Sequence, residues 1–126
     1  MDWSEAMSVL LVALGAAVGA PLRFLVDKHM VDRLLRSTRL SSPLPWGTFA
    51  VNVLGSFVLG LLTGVTDQTV TLLVGVGFCG AFTTYSTFAA ETTALAASGR
   101  RAAALLNVVL NLGVGLLAAI VGAVLA

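Results

Sequence analysis

Apolar residues fall in four long blocks along this chain, separated by short polar interruptions. A helix rising about 1.5 Å per residue needs roughly 20 mostly apolar residues to cross the hydrocarbon core of a bilayer. The blocks have that length. The pattern therefore predicts an all-α membrane protein of four transmembrane helices, over about 6–26, 46–65, 70–97 and 102–125, in one domain covering residues 1–126.

Gly15 and Gly19 form a small-xxx-small pair in the first span, which lets another helix approach closely in lipid. From Asp27 to Arg39 the pattern turns amphipathic, with Met30, Val31, Leu34 and Leu35 set among Lys28, Asp32, Arg33 and Arg36, as expected of a helix emerging through the headgroups. Ser41 to Pro45 breaks it, and Trp46 then takes an interfacial position. The second span carries Gly47, Asn52, Gly55, Ser56, Gly60 and Gly64, notches that suit close packing. Asp67 to Thr69 form a short turn before the third span, whose middle gathers Gly75, Gly77, Cys79, Gly80, Thr83, Thr84, Ser86 and Thr87. Glycine weakens a helix and hydroxyls compete for its backbone bonds, so a local break is predicted near Gly80 to Thr84. Broken backbone at membrane depth is tolerated only where protein buries it or it lines a polar site. The basic turn Gly99, Arg100, Arg101 leads into the fourth span.

The chain is 58% hydrophobic and 10% charged, whereas soluble domains carry about 25% charged residues. Its 126 residues leave no room for a second, soluble domain. A net charge of +1 gives no footing to a nucleic-acid partner, and none is expected. The distribution of that charge says more. Loop one holds Lys28, Arg33, Arg36 and Arg39, loop three holds Arg100 and Arg101, and the second loop and both tails hold none. Since Lys and Arg favour cytoplasmic loops, loops one and three are expected in the cytoplasm and both termini outside, in a multi-pass protein of the cell membrane. Asp2 and Glu5 precede the first apolar run where a signal peptide would be basic, so that segment is expected to be retained. Cys79 has no partner cysteine, which excludes an internal disulfide and a cysteine-based metal cluster. It is expected to be a small buried side chain.

Arg23, Asn52, Glu91, Asn107 and Asn111 are strongly polar residues within spans, and all are expensive to leave facing lipid. Two readings stand for each. The asparagines either bond between helices and hold the bundle together, or take part in transport. Arg23 either snorkels to the headgroups or attracts anions to a vestibule. Glu91 either caps a polar network or titrates in a proton-coupled mechanism. Thr83, Thr84, Ser86 and Thr87 either bond back to helix carbonyls or form a polar track. Phe78, Phe82, Tyr85 and Phe88 recur at helical spacing, as packing or as a set of positive ring edges that can meet an anion.

The run Gly77-Phe78-Cys79-Gly80-Ala81-Phe82-Thr83-Thr84-Tyr85-Ser86-Thr87-Phe88, with Gly47-Thr48 followed by Asn52 and Gly55, and Gly19 followed by Arg23, closely resembles the CrcB, or Fluc, fluoride channel family. The similarity covers nearly the whole chain. It implies a dual-topology, antiparallel dimer with two passive pores, selective for fluoride over chloride, that rid a cell of toxic fluoride. By position, Asn52 matches the pore amide, and Tyr85 and Phe88 the two aromatic-box positions. Thr48 and Glu91 match a polar cluster near the pore, Arg23 matches the vestibule arginine, and Ser86 and Thr87 fall in the hydroxyl track. The resemblance also implies a structural sodium ion at the dimer interface, held by backbone carbonyls that map to Gly80 and Thr83. Tyr85 stands where the family usually has Phe, and Gly115 and Ala119 stand where members often carry serine or threonine. The one-sided loop charges further suggest a heterodimer with a related subunit of inverted topology.

Two other functions compete. A non-conducting partner subunit would accommodate the departures at Tyr85, Gly115 and Ala119. A small multidrug proton antiporter would need its acid in the first helix, whereas Glu91 lies in the third. An enzyme finds no support, because the only histidine, His29, lies in the basic loop away from any nucleophile or phosphate-binding loop.

Overall fold

The computed structural model describes residues 2–37 and 44–126. Arg39, Ser41, Ser42 and Pro43 lie outside the described residues, as do the side chains of Met30, Val31, Asp32, Leu34, Leu35 and Arg36. Four helical stretches are long and apolar enough to cross a membrane: Trp3–His29, Trp46–Gly64, Gln68–Ala97 and Arg101–Leu125. They correspond to the four expected spans. The protein is a multi-pass membrane protein.

Helix α1 (Trp3–Ser37) is longer than the first span expected, because the amphipathic stretch continues the same helix. It begins at a reciprocal cap: Asp2 Oδ1 accepts from the Glu5 backbone N–H at 2.9 Å, and Glu5 Oε2 accepts from the Asp2 N–H at 3.2 Å. Pro21 lies inside α1 and removes one of its backbone donors. Helix α2 (Trp46–Leu61) tightens into a 3-10 turn at Leu62–Gly64. The third span starts with α3 (Gln68–Val70), where Asp67 Oδ1 caps the Thr69 N–H at 2.9 Å, two residues earlier than expected. It widens into a π-helical segment at Thr71–Cys79 and returns to α geometry in α4 (Gly80–Phe82). Thr83 (φ −82°, ψ 162°) and Thr84 (φ −147°, ψ 122°) are then extended, and α5 (Tyr85–Ala97) follows. Gly99 (φ +84°) takes the left-handed conformation that ends α5. The Arg100 N–H reaches Leu95 O at 2.9 Å and the Gly99 N–H reaches Ala96 O at 3.2 Å, closing the turn into α6 (Arg101–Leu125).

Helix α2 lies against α6, and α1 lies against the π-helical segment. Glycines permit both contacts. A Cβ at Gly60 would meet the Ala119 carbonyl, and one at Gly122 would meet the Phe57 carbonyl, so these two backbones touch directly. Cys79 is buried and its thiol is free. Many large apolar residues of α6 face outward, Leu112 (64%), Leu116 (65%) and Val124 (78%) among them, as suits lipid or another protein rather than water.

Candidate functional site

The extended residues of the third span are where polar groups meet. Thr84 N–H donates to Asn52 Oδ1 at 2.9 Å, and Thr84 C=O accepts from Asn52 Nδ2 at 3.2 Å. The amide of α2 thus replaces the helical acceptor that the Thr84 N–H gives up, and adds a second donor to the Thr84 carbonyl, which as the N-cap of α5 also takes the first bond of that helix. Thr84 Oγ1 also accepts the Thr87 N–H at 3.2 Å, capping α5, and lies 3.5 Å from Ser86 Oγ. Thr83 behaves differently, since its Oγ1 bonds back to Cys79 O at 2.8 Å while its methyl rests on Gly55.

From Asn52 the polar contacts continue into α6. Asn52 Nδ2 donates to Asn111 Oδ1 at 3.1 Å, and Asn111 Nδ2 donates to Asn107 Oδ1 and O at 3.0 and 2.9 Å. Asn107 Nδ2 donates to Thr92 Oγ1 at 2.9 Å, and Thr92 Oγ1 donates to Phe88 O at 2.8 Å. Thr48 Oγ1 donates to Glu91 Oε1 at 2.5 Å. Every buried side-chain polar atom among the described residues has a partner.

Three hollows adjoin this network. A cleft of about 260 Å³ is lined by Asn52, Ser56, Leu59, Thr83, Thr84, Tyr85, Phe88, Asn111 and Leu112. A more enclosed cavity of about 160 Å³ is lined by Arg23, Phe24, Asp27, Thr48, Val51, Thr84 and Thr87. The third, of about 440 Å³, holds Glu91 and Arg100 with Pro45, Ala94, Leu95 and Ser98. Thr84 is a wall shared by the first two, and the Thr48–Glu91 bond joins the second to the third.

Of the residues expected at the site, Asn52, Tyr85 and Phe88 share the cleft, and Arg23, Thr48 and Thr87 share the enclosed cavity. Glu91 meets Thr48, and Ser86 lies beside Thr84. The Tyr85 and Phe88 rings stand 6.2 Å apart at 52°, whereas Phe78 and Phe82 stack on each other at 5.4 Å as packing. Gly80 lies apart, with open space around the position of a Cβ. Two participants had no individual signal in the sequence. Thr92 reads as an ordinary helical threonine until Asn107 is placed against it. Asp27 reads as part of an amphipathic surface, yet it lines the Arg23 cavity and packs on Gly47. The i, i+4 spacing of Asn107 and Asn111 was the visible clue to the α6 ladder.

Four apolar helices with a polar series of amides and hydroxyls between them define a multi-pass membrane protein with a polar interior. The chain belongs to the CrcB-like family: the family described as "CrcB-like protein, Camphor Resistance (CrcB)" matches residues 10–123. It is 46% identical over 121 residues to the "Fluoride-specific ion channel FluC 1" of Streptomyces avermitilis, covering 92% of this chain and 93% of that protein. It is 47% identical over 118 residues to the "Fluoride-specific ion channel FluC 2" of Rhodococcus jostii, covering 92% and 96%. With the FluC 2 of Mycobacterium tuberculosis it shares 39% over 126 residues, covering 97% and 95%.

Proposed function

We propose that this chain is a subunit of a passive, fluoride-selective ion channel that exports toxic fluoride and lowers its cytoplasmic level. The family and the names of its relatives support the ion's identity. The observation that carries the reading is Thr84, which walls both the Arg23 cavity and the Asn52–Phe88 cleft. Fluoride attracted by Arg23 sheds water, passes the Thr84 and Thr87 hydroxyls, with Ser86 beside them, and meets the Asn52 amide and the ring edges of Tyr85 and Phe88. The Thr48–Glu91 pair sets the polarity of the inner wall. A small, strongly hydrogen-bonding anion suits such donors, whereas chloride is larger and accepts more weakly.

The working unit is an antiparallel dimer. Tyr85 is 81% exposed and the Asn52 cleft opens outward, and polar groups left open to hydrocarbon need a protein cover. Because the basic residues gather in loops one and three, those loops face the cytoplasm and the termini face outside the cell membrane. A related subunit of inverted topology would then complete a heterodimer. The third span works as a broken helix, with its extended residues at Thr83 and Thr84. In an unbroken helix Gly80 C=O would accept from Thr84 N–H, and Thr83 C=O from Thr87 N–H. Those donors go instead to Asn52 Oδ1 and Thr84 Oγ1, so the two carbonyls fit a hard cation. Gly80 and Thr83 would hold a structural sodium ion between the subunits.

A second reading, a non-conducting partner subunit, is favoured by one detail: Gly115 is buried opposite Ser56 and offers no hydroxyl to the cleft's neighbourhood. Fluoride efflux from proteoliposomes, with chloride as control and Phe88→Ile alongside, separates these readings. Selective flux from the chain alone, abolished in the variant, establishes a self-sufficient channel and overturns the heterodimer. Flux only after a related subunit is added supports the heterodimer, and silence in both cases overturns conduction by this chain.

A further inference from the structure

The donors in the α6 network all point one way. Beginning at the Thr84 N–H, each group accepts from the one before and donates to the next, through Asn52, Asn111, Asn107 and Thr92, to the backbone carbonyl of Phe88. Both ends of this relay lie on the third span, one at its extended residues and one at the backbone carbonyl of Phe88, a residue of the cleft. The middle passes through α2 and α6. Asn107 is 2% exposed and Asn111 7%.

Such a chain removes a choice that a carboxamide otherwise has. Its oxygen and nitrogen ends are nearly equal in shape and opposite in polarity, so the neighbours decide which end faces where. Asn107 Nδ2 is committed to Thr92 Oγ1, whose own proton is committed to Phe88 O, so Asn107 turns its oxygen to Asn111. Asn111 then gives its protons to Asn107 and turns its own oxygen to Asn52. Facing two acceptors, Asn111 Oδ1 and the Thr84 carbonyl, Asn52 presents nitrogen to both and its oxygen to Thr84 N–H, so the relay adds to an orientation that Thr84 also favours. A reversed Asn52 would set two oxygens against each other at Asn111 and two N–H groups against each other at Thr84.

We infer that Asn107 and Thr92, through Asn111, are positioning residues that hold the donor end of the Asn52 amide toward the ion cleft and thereby set its preference for a small anion. This rests on the channel reading above. Asn52 and Asn111 line the cleft with Tyr85 and Phe88, whereas Asn107 and Thr92 do not. The Asn52 hydrogen aimed at Asn111 can be taken by an arriving anion, with Asn111 Oδ1 as its placeholder in the anion's absence. Aligned hydrogen bonds also polarise one another, which strengthens the orientation.

The test uses the full chain in proteoliposomes, with its related subunit where conduction needs one, and compares Asn107→Leu, Thr92→Val and Thr92→Ser at equal amounts of assembled protein. Asn107→Leu is expected to lower fluoride flux about tenfold, as the loss of a buried hydrogen bond that orients a ligand does. The fluoride-to-chloride ratio should fall with it. Thr92→Val should move both quantities in the same direction, and Thr92→Ser should restore them. Unchanged flux and ratio overturn the inference, as does flux that falls while the ratio stays constant, since that is the mark of packing alone. Should Asn107→Leu not assemble, the Thr92 pair decides by the same criteria. The side-chain amide signals of Asn52, followed by NMR on asparagine-labelled protein, give a readout that needs no conduction. If the parent chain carries no fluoride while Asn107→Leu still shifts those signals, the relay stands and the channel reading fails; unshifted signals overturn the relay itself.

Discussion

Thr84 and Asn52 bond to each other twice, the Thr84 N–H giving to Oδ1 at 2.9 Å and the Thr84 carbonyl receiving from Nδ2 at 3.2 Å. A carboxamide has the donor and acceptor spacing of a peptide group, so Asn52 stands in for the strand that extended backbone would otherwise need. Water is scarce at this depth, and an unpaired peptide group there costs several kcal/mol. The pairing explains how Thr84 can leave helical geometry inside a membrane span.

Replacing Asn52 by Leu should therefore strike stability as well as conduction. The Thr84 N–H loses its partner, at about 1–3 kcal/mol, and Asn111 Oδ1 loses its donor. Thermal unfolding in detergent should fall clearly below the parent, and fluoride flux should be lost. A variant that melts with the parent would show that the pairing contributes nothing to holding the third span.

The contact between α2 and α6 should be intolerant of a single methyl group. Gly60→Ala would drive a Cβ into the Ala119 carbonyl, which is backbone and cannot rotate away. A destabilisation of about 1–3 kcal/mol is expected. Gly113→Ala, on the same α6 but with open space at its Cβ, should be neutral or gain about 0.5–1 kcal/mol from helix propensity. Equal melting of the two variants would contradict the close approach.

The cap at the start of α1 should respond to acid. The Asp2 carboxyl is held below its ordinary value, first by the Glu5 backbone N–H and then by the Ser4 hydroxyl, with the opposing effect of burial smaller. A depressed carboxylate stabilises the folded form above its unfolded value and loses that contribution as pH falls through the folded one. The first turn of α1 should therefore be ordered at neutral pH and fray on acidification below the usual carboxylate range. Amide exchange at Ser4 and Glu5, compared between the parent and Asp2→Ala, reads this directly. The variant should be less protected at neutral pH and show little further loss of protection in acid, protection being each rate taken relative to the intrinsic rate at that pH.

The sequence alone determined that the chain is a four-span membrane protein, because apolar blocks long enough to cross a bilayer are visible without any partner. It also identified the family, because the run from Gly77 to Phe88 is a local string. It singled out Asn52, Asn107, Asn111, Glu91 and Arg23 as polar residues too costly to face lipid. It left open what each one meets. A hydrogen bond belongs to two residues, and Asn52 and Asn111 are 59 positions apart. No periodicity within α2 or α6 announces that their faces will oppose one another. The Thr83 hydroxyl turns back to Cys79 within its own span, whereas only the tertiary structure set the neighbouring Thr84 against Asn52, although both are threonines in the same stretch. Only packing brought Thr92 into the α6 ladder and Asp27 into the Arg23 cavity. Local composition fixes which segments enter the bilayer, while the direction of a side chain is decided by the helix that lies across from it.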